Sequence, residues 1–136
     1  MEIDRQKVLK VFGAYVDCYD SRDEKVRLKI EHTYRVSELC EDIARSLRLG
    51  EEDCSLAWLI GMLHDIGRFE QLRRYGTFAD AESIDHAMYG ADILFGQRKI
   101  RDYLDDDRED GMIKEAVANH SAYRLPEGLD ERTRMF

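Results

Sequence analysis

The sequence predicts an all-α protein of about six or seven helices. Apolar residues recur at spacings of three and four along most of the 136 residues, and no segment has the alternating, β-branched pattern of a strand. The stretch from Ala57 to His64 contains no charged residue, in a chain where 37% of residues are charged. Because a helix that is apolar on every side is usually buried, we expect this one at the centre of the fold.

The first two helices are predicted from their apolar periodicity and their end signals. The first covers about residues 4–18. Ser21, with Glu24 three residues later, fits a capping box that begins the second helix, and Gly50 is placed to end it. One face of this second helix is expected to be buried. That face consists of Val26, Ile30, Thr33, Val36, Leu39, Cys40, Ile43 and Leu47.

The third helix is the apolar one, and it is expected to end at the adjacent His64 and Asp65. Three acidic residues from Glu51 onward suit its first turn, and Gly67 is predicted to stop it. The remaining chain is predicted as a short helix over 69–75, a loop over 76–82, a helix over 84–95 capped by Ser83, a short turn near 100–104, an acidic solvated loop over 105–110, and a last helix over 112–123.

Composition bounds the class of protein. The length fits a single domain over residues 1–136, and no apolar run reaches the roughly 18 residues of a membrane span, so no membrane association is expected. Three cysteines without paired spacing indicate reduced thiols that serve as small core residues. The charged N-terminus does not resemble a signal peptide, so we expect a cytoplasmic protein. The net charge of −8 argues against binding to a nucleic-acid polymer.

The four histidines form the most informative pattern. His32, His64, His86 and His120 fall on or beside the apolar faces of four predicted helices. A lone histidine on such a face is usually a satisfied core residue, so an all-α interaction domain remains open on the residues alone. Facing helices of a bundle also build metal sites, and imidazole with carboxylate suits Mn, Fe, Co, Ni or Zn better than Mg alone.

The order His32, His64-Asp65, His86 and His120 resembles the HD-domain superfamily of metal-dependent phosphohydrolases. The matching motifs are Glu-His-Thr-Tyr-Arg-Val, Met-Leu-His-Asp-Ile-Gly, Asp-His-Ala-Met-Tyr-Gly and Val-Ala-Asn-His-Ser, within about residues 25–122. The resemblance implies one or two divalent metal ions. It assigns His32, His64 and Asp65 to a first ion, and His86 and His120 to a second ion that Asp65 bridges.

The implied activity is hydrolysis of a phosphate ester by metal-activated water. Asp65 and His64 would carry the catalysis, on a nucleotide or another small phosphorylated metabolite. Arg68, close after the His-Asp pair, is either a phosphate ligand or part of a surface salt bridge. The Gly-Tyr-Pro motif of the cyclic-dinucleotide phosphodiesterases of this superfamily is not found in the sequence.

The sequence departs from the family pattern at its end. The family completes its first metal site with an Asp on a later helix, and Asp130 is the only Asp after His120. Either the chain is C-terminally truncated or the first site is incomplete. A non-catalytic module that binds a metal or a nucleotide is therefore the alternative function, and an apolar face left uncovered would favour a homodimer.

Overall fold

The computed structural model describes residues 3–119, and in that range every regular element is helical. The predicted all-α class is confirmed there. The first four helices are α1 (Arg5–Val16), α2 (Glu24–Ser46), α3 (Glu51–Leu63) and α4 (Ile66–Tyr75). A 3-10 turn (Asp80–Glu82) then precedes α5 (His86–Ala91), a π-helical turn (Asp92–Gly96), α6 (Ile100–Tyr103) and α7 (Asp110–Asn119).

Helix α3 lies at the centre of the core, as its composition predicted. Every residue from Leu56 to Leu63 is buried, and Leu59 and Leu63 have no exposed surface at all. Helices α1, α4 and α7 contribute Phe12, Phe69 and Ile113 to the same core. The most apolar segment of the chain therefore carries its C-terminal residue, His64, to the end of the buried bundle.

The predicted ends of α2 are wrong. Asp23, not Ser21, caps the helix, because its carboxylate lies directly before the first turn and accepts the Lys25 amide at 2.9 Å. The helix stops before Gly50: Arg48 takes the left-handed conformation with φ 60°, and the Leu49 amide donates to the Ala44 carbonyl at 3.1 Å.

The predicted buried face of α2 is only partly right. Val26 and Thr33 are buried, but Leu39, Ile43 and Leu47 are about half exposed, at 57%, 49% and 54%. The contact with α3 instead runs along small residues, since a Cβ on Gly61 would lie 2.6 Å from the Ser37 Cα. The side of α2 that carries these small residues therefore faces α3, and the three larger apolar side chains lie on a more exposed side of the helix.

The break between α3 and α4 does not depend on Gly67, which corrects the predicted stop. Asp65, with φ −108° and ψ 19°, interrupts the helix, and Gly67 already belongs to α4. A Cβ on Gly67 would lie 2.4 Å from the His86 carbonyl oxygen and 2.8 Å from the Gly90 nitrogen. The missing side chain of Gly67 therefore allows α4 and α5 to approach closely, and helix α4 continues through this residue.

Helix α5 begins two residues later than predicted, and from Asp92 the helical path continues as the π-helical turn to Gly96. Asp85, not Ser83, is its cap, because the Asp85 carboxylate accepts the amides of Ala87 and Met88 at 3.0 and 3.2 Å. Only one of the three cysteines is a core residue: Cys54 is buried, Cys40 is half-buried and Cys18 is exposed. Over residues 3–119, no helix combines the length and apolarity that crossing a membrane requires.

Candidate metal centre

The carboxylate of Asp65 lies at the break between α3 and α4, and the residue is only 5% exposed. Three histidine side chains from different elements converge on it. His32 Nε2 and His64 Nε2 lie 3.4 and 3.2 Å from Asp65 Oδ2, and His86 Nε2 lies 3.3 Å from Oδ1. The ligand atoms of His32, His64 and Asp65 all lie within 4.8 Å of one another.

The helix break explains how two adjacent residues share this place. Neighbours on a continuous helix point about 100° apart. His64 is the last residue before the break, and Asp65 has left helical geometry, so both side chains turn toward the same point. His32 comes from α2, which packs along α3, and His86 comes from the first turn of α5.

Hydrogen bonds set the tautomers of two of these histidines. His64 Nδ1 lies 2.6 Å from the Gly61 carbonyl oxygen, which can only accept, so Nδ1 carries the proton. His86 Nδ1 lies 2.8 Å from Asp80 Oδ2 and donates in the same way. In the neutral imidazoles both Nε2 atoms then present a lone pair toward the Asp65 carboxylate.

This donor set fits a bound cation. Lone pairs facing a carboxylate oxygen at 3.2–3.3 Å require a positive charge among them, either protons or a metal ion. Burial and the nearby Lys29 ammonium lower the pKa of His32, which favours its neutral form and a free lone pair. Imidazole nitrogens with a carboxylate oxygen are typical ligands of a first-row divalent metal ion.

Two cations flank Asp65. The Lys29 ammonium lies 3.3 Å from Asp65 Oδ2, and Arg68 Nε lies 3.9 Å from Oδ1. Both cations also lie over the Phe78 ring, at 5.1 and 5.7 Å from its centroid. Arg68 does form a salt bridge, at 3.0 Å from Asp80, but its side chain is only 19% exposed and lies beside the metal centre. A surface salt bridge was one interpretation of Arg68 from the sequence. The observed pair lies beside the metal centre and not on the open surface.

The sequence reasoning missed Lys29 and Asp80. Lys29 precedes His32 by three residues, so helical spacing alone places both on one face of α2. Asp80 lies in a segment predicted only as a loop, six residues before His86. Although burial opposes it, hydrogen bonds from Gln71 and His86 lower the pKa of Asp80, so this carboxylate is held in its charged form.

One predicted site residue, His120, the expected second ligand of the second ion, lies outside the described residues. Asp130, the only Asp after it in the sequence, lies outside them too. Within residues 3–119 a second group of possible ligands consists of Asp80, Asp85 and His86. The structure thus brings together His32, His64, Asp65, His86 and Arg68, whereas His120 stays a prediction.

Comparison with known proteins agrees with the motifs. Residues 30–134 match the model of the HD domain family, which is more than half of the chain. The chain therefore belongs to the HD domain family, as its motifs indicated. HD domains bind divalent metal ions, and the His/Asp groups described above supply suitable side chains.

A curated relative is the 3'3'-cGAMP-specific phosphodiesterase 1 of Vibrio cholerae. It is 27% identical to this chain over 64% of the chain and 22% of the relative. The chain thus spans less than a quarter of the length of that protein. No solved structure matches the chain significantly.

Proposed function

We propose that this protein is a metal-dependent phosphohydrolase that hydrolyses a phosphate ester. The observation that carries the proposal is the convergence of three histidine Nε2 atoms on the buried carboxylate of Asp65, at 3.2–3.4 Å. A structural histidine needs one hydrogen-bond partner, whereas here three imidazoles meet one carboxylate at a helix break. Membership of the HD domain family gives independent support.

Each ligand has an assigned role in this proposal. His32, His64 and Asp65 would hold a first ion. Asp65 and His86 would hold a second ion, and His120 is the further ligand expected from the family resemblance. One or two ions are compatible with this set, and its nitrogen content favours Mn, Fe, Co, Ni or Zn over Mg.

The chain's own residues prepare the reaction. A divalent ion bound there would lower the pKa of a water molecule and neutralise charge on the phosphate oxygens. Asp65 would accept a hydrogen bond from the attacking water and orient it, and the Gly61 carbonyl fixes the proton of His64 on Nδ1, so that Nε2 is the ligand atom of His64. The break after α3 is therefore the catalytic element of the fold.

Arg68 and Lys29 supply positive charge for the substrate phosphate. The protein has a net charge of −8, so an anionic substrate needs a local cationic region. Arg68 Nε is buried and has no hydrogen-bond partner among residues 3–119, which leaves a donor for an incoming oxygen. A guanidinium suits phosphate because its N–H groups match two phosphate oxygens.

The substrate class we favour is a nucleotide or another small phosphorylated metabolite. The name of the Vibrio cholerae relative specifies a nucleotide phosphodiester, which supports phosphate esters of nucleotides as the first compounds to test. The chain spans only 22% of that relative and lacks the Gly-Tyr-Pro motif, so we do not extend the relative's substrate to it. We further propose action in the cytoplasm, and a homodimer stays a prediction.

A non-catalytic binding module is the second candidate. The observation in its favour is that the first group within residues 3–119 offers three ligand atoms, from His32, His64 and Asp65. Three ligands can retain an ion, but the family pattern includes a further Asp, and none among residues 3–119 joins this group. Such a module would bind the same ion and the same phosphate without turnover.

Turnover separates the two candidates. The protein loaded with Mn²⁺, Co²⁺ or Zn²⁺ is assayed against p-nitrophenyl phosphate, its bis-ester and a panel of nucleotides, beside the Asp65→Ala variant. The phosphohydrolase proposal predicts metal-dependent product formation that the variant loses by a factor of about 100 or more, because water orientation and a shared ligand disappear together. Binding of phosphate without turnover would support the module, and equal rates in both proteins would reject the site.

A further inference from the structure

Asp80 contacts two parts of the metal centre with its two carboxylate oxygens. Oδ2 accepts from His86 Nδ1 at 2.8 Å and from the His86 amide at 3.3 Å. Oδ1 accepts from Arg68 Nη1 at 3.0 Å and from Gln71 Nε2 at 2.9 Å. One side chain of the turn between α4 and α5 therefore joins a proposed metal ligand to the proposed phosphate-binding arginine.

We propose that Asp80 is a positioning residue of the metal centre. It fixes the imidazole of His86 with Nε2 toward Asp65, and it holds the guanidinium of Arg68 beside the same carboxylate. This role rests on the proposed function in one respect: it requires that His86 binds a metal ion. Nothing in the sequence motifs or in the comparisons assigns it.

The first part of the argument concerns His86. Its imidazole is 2% exposed, so water cannot replace a lost partner. A carboxylate is an acceptor only, and at 2.8 Å it keeps the proton on Nδ1 and the lone pair on Nε2. A carboxylate behind a metal-binding histidine also fixes the orientation of the ring, and its loss typically weakens metal binding 10- to 100-fold.

The second part concerns Arg68. Asp80, Gln71 and the Phe78 carbonyl oxygen all accept from Arg68 Nη1, at 3.0, 3.0 and 2.5 Å. These bonds fix one end of the guanidinium and leave Nε 3.9 Å from Asp65 Oδ1. Gln71, which is fully buried, braces Asp80 in turn through its own amide. Metal binding by His86 and phosphate binding by Arg68 are thus coupled through one carboxylate.

An ion held on the other side of His86 is the competing arrangement, because Asp80, Asp85 and His86 also form a group of possible ligands. Two contacts argue against it. Asp85 Oδ1 is already engaged by the Ala87 and Met88 amides as the cap of α5. The 2.8 Å separation of His86 Nδ1 and Asp80 Oδ2 is that of a direct hydrogen bond.

The test is the Asp80→Asn variant, which keeps the side-chain shape and removes the charge. Two readouts are measured: Co²⁺ affinity by absorption titration, and the tautomer of His86 by ¹⁵N NMR of the metal-free protein. We expect affinity to fall about 10- to 100-fold and a population protonated on Nε2 to appear. Unchanged affinity together with an unchanged tautomer would overturn the proposal.

Asp85→Ser is the matched control, because serine retains an oxygen that can cap α5. Co²⁺ affinity should stay at the wild-type value in this variant. A loss as large as that of Asp80→Asn would place the ion on the Nδ1 side and would also overturn the proposal.

If Asp80→Asn does not fold, Asp80→Glu replaces it, because glutamate retains the charge but displaces it by one methylene. Asp80→Glu should show an affinity between wild type and the expected loss, and full wild-type affinity would count against positioning.

Failure of the proposed function would give a different result from failure of the positioning role of Asp80. Wild-type protein that binds no Co²⁺ would reject the metal centre as a whole. The tautomer of His86 in the metal-free protein would still report whether Asp80 sets the proton on Nδ1.

Discussion

His32 lies on α2 and His64 directly follows α3, the two longest helices of the described residues, whereas His86 opens a six-residue helix that follows a loop. The first two are placed by the packing of α2 against α3, where Gly61 and Ser37 bring the backbones together. His86 is placed by a network of side chains, from Arg68 and Gln71 through Asp80 to its own Nδ1. Helix packing therefore builds one half of the metal centre, and buried polar contacts build the other.

Gly61→Ala is the strongest test of the helix-packed half. The new methyl group would lie 2.6 Å from the Ser37 Cα, between two long helices that cannot easily separate. We expect a loss of unfolding free energy of about 3 kcal/mol, at the upper end of the usual cost of overpacking. Urea denaturation measures it, and a loss below about 1 kcal/mol would show that the two helices do not pack closely at this point.

Gly67→Ala tests the other half in the same way. Its methyl group would lie 2.4 Å from the His86 carbonyl oxygen, but the short α5 can move away at lower cost. We expect a smaller loss, about 2 kcal/mol, accompanied by a fall in metal affinity as His86 is displaced. Urea denaturation of both glycine variants shows which one loses more stability, and Co²⁺ titration shows whether metal affinity falls in Gly67→Ala. A larger loss of stability for Gly67→Ala than for Gly61→Ala would reverse the comparison.

Glu70 offers a pH-dependent test of how α4 is fixed. Hydrogen bonds from Arg73 lower its pKa from an ordinary 4.5 to about 2, and the Tyr19 hydroxyl of the segment after α1 donates to it at 3.0 Å. A lowered folded-state pKa gives stability that is present above pH 4.5 and lost as pH falls toward 2. Because Arg73 is more than half exposed, we expect only about 1 kcal/mol.

The measurement compares wild type with Glu70→Gln in urea at several pH values. The wild type should be more stable at pH 7, and the difference should shrink as the pH falls below about 4.5. Glu51→Gln is a suitable control, since Glu51 pairs with Arg45 in an 81% exposed position and should change little. A difference for Glu70→Gln that does not vary with pH would contradict this account.

Sequence patterns located the two helices of the helix-packed half but not the polar contacts that place His86. Periodicity located α2 and α3, and a run without charge identified the buried centre, because helix packing repeats a simple spacing along the chain. Asp80 gave no such signal. Its role depends on two partners, twelve residues before and six residues after it, that meet only in the folded chain.

Helix ends were also poorly predicted, for a physical reason. Several residues near each end can cap a helix, and the choice among them depends on local geometry. Asp23 and Asp85 took this role in place of Ser21 and Ser83. Gly67 was predicted to stop α3, but it lies in α4, and its missing side chain serves the contact between α4 and α5. A glycine in a sequence does not show whether it is needed for conformation or for close approach.

Leu39→Ser gives the smallest expected effect. Leu39 was predicted to be buried on α2, but it is 57% exposed. We expect a change in unfolding free energy within about 0.5 kcal/mol, as for most surface substitutions. Urea denaturation beside Val26→Ala, whose wild-type side chain is 4% exposed, shows the contrast between the two faces. A loss above about 1.5 kcal/mol for Leu39→Ser would mean that this face of α2 is covered in solution.

Metal content tests the central claim most directly. Elemental analysis is carried out on gently purified wild-type protein and on Asp65→Asn, each before and after reconstitution with Mn²⁺, Co²⁺ and Zn²⁺. Convergence of His32, His64 and His86 on Asp65 predicts about one or two equivalents of a divalent ion in the wild type and a large loss in the variant. Less than about a tenth of an equivalent in reconstituted wild type, or equal loading of both proteins, would contradict the metal centre.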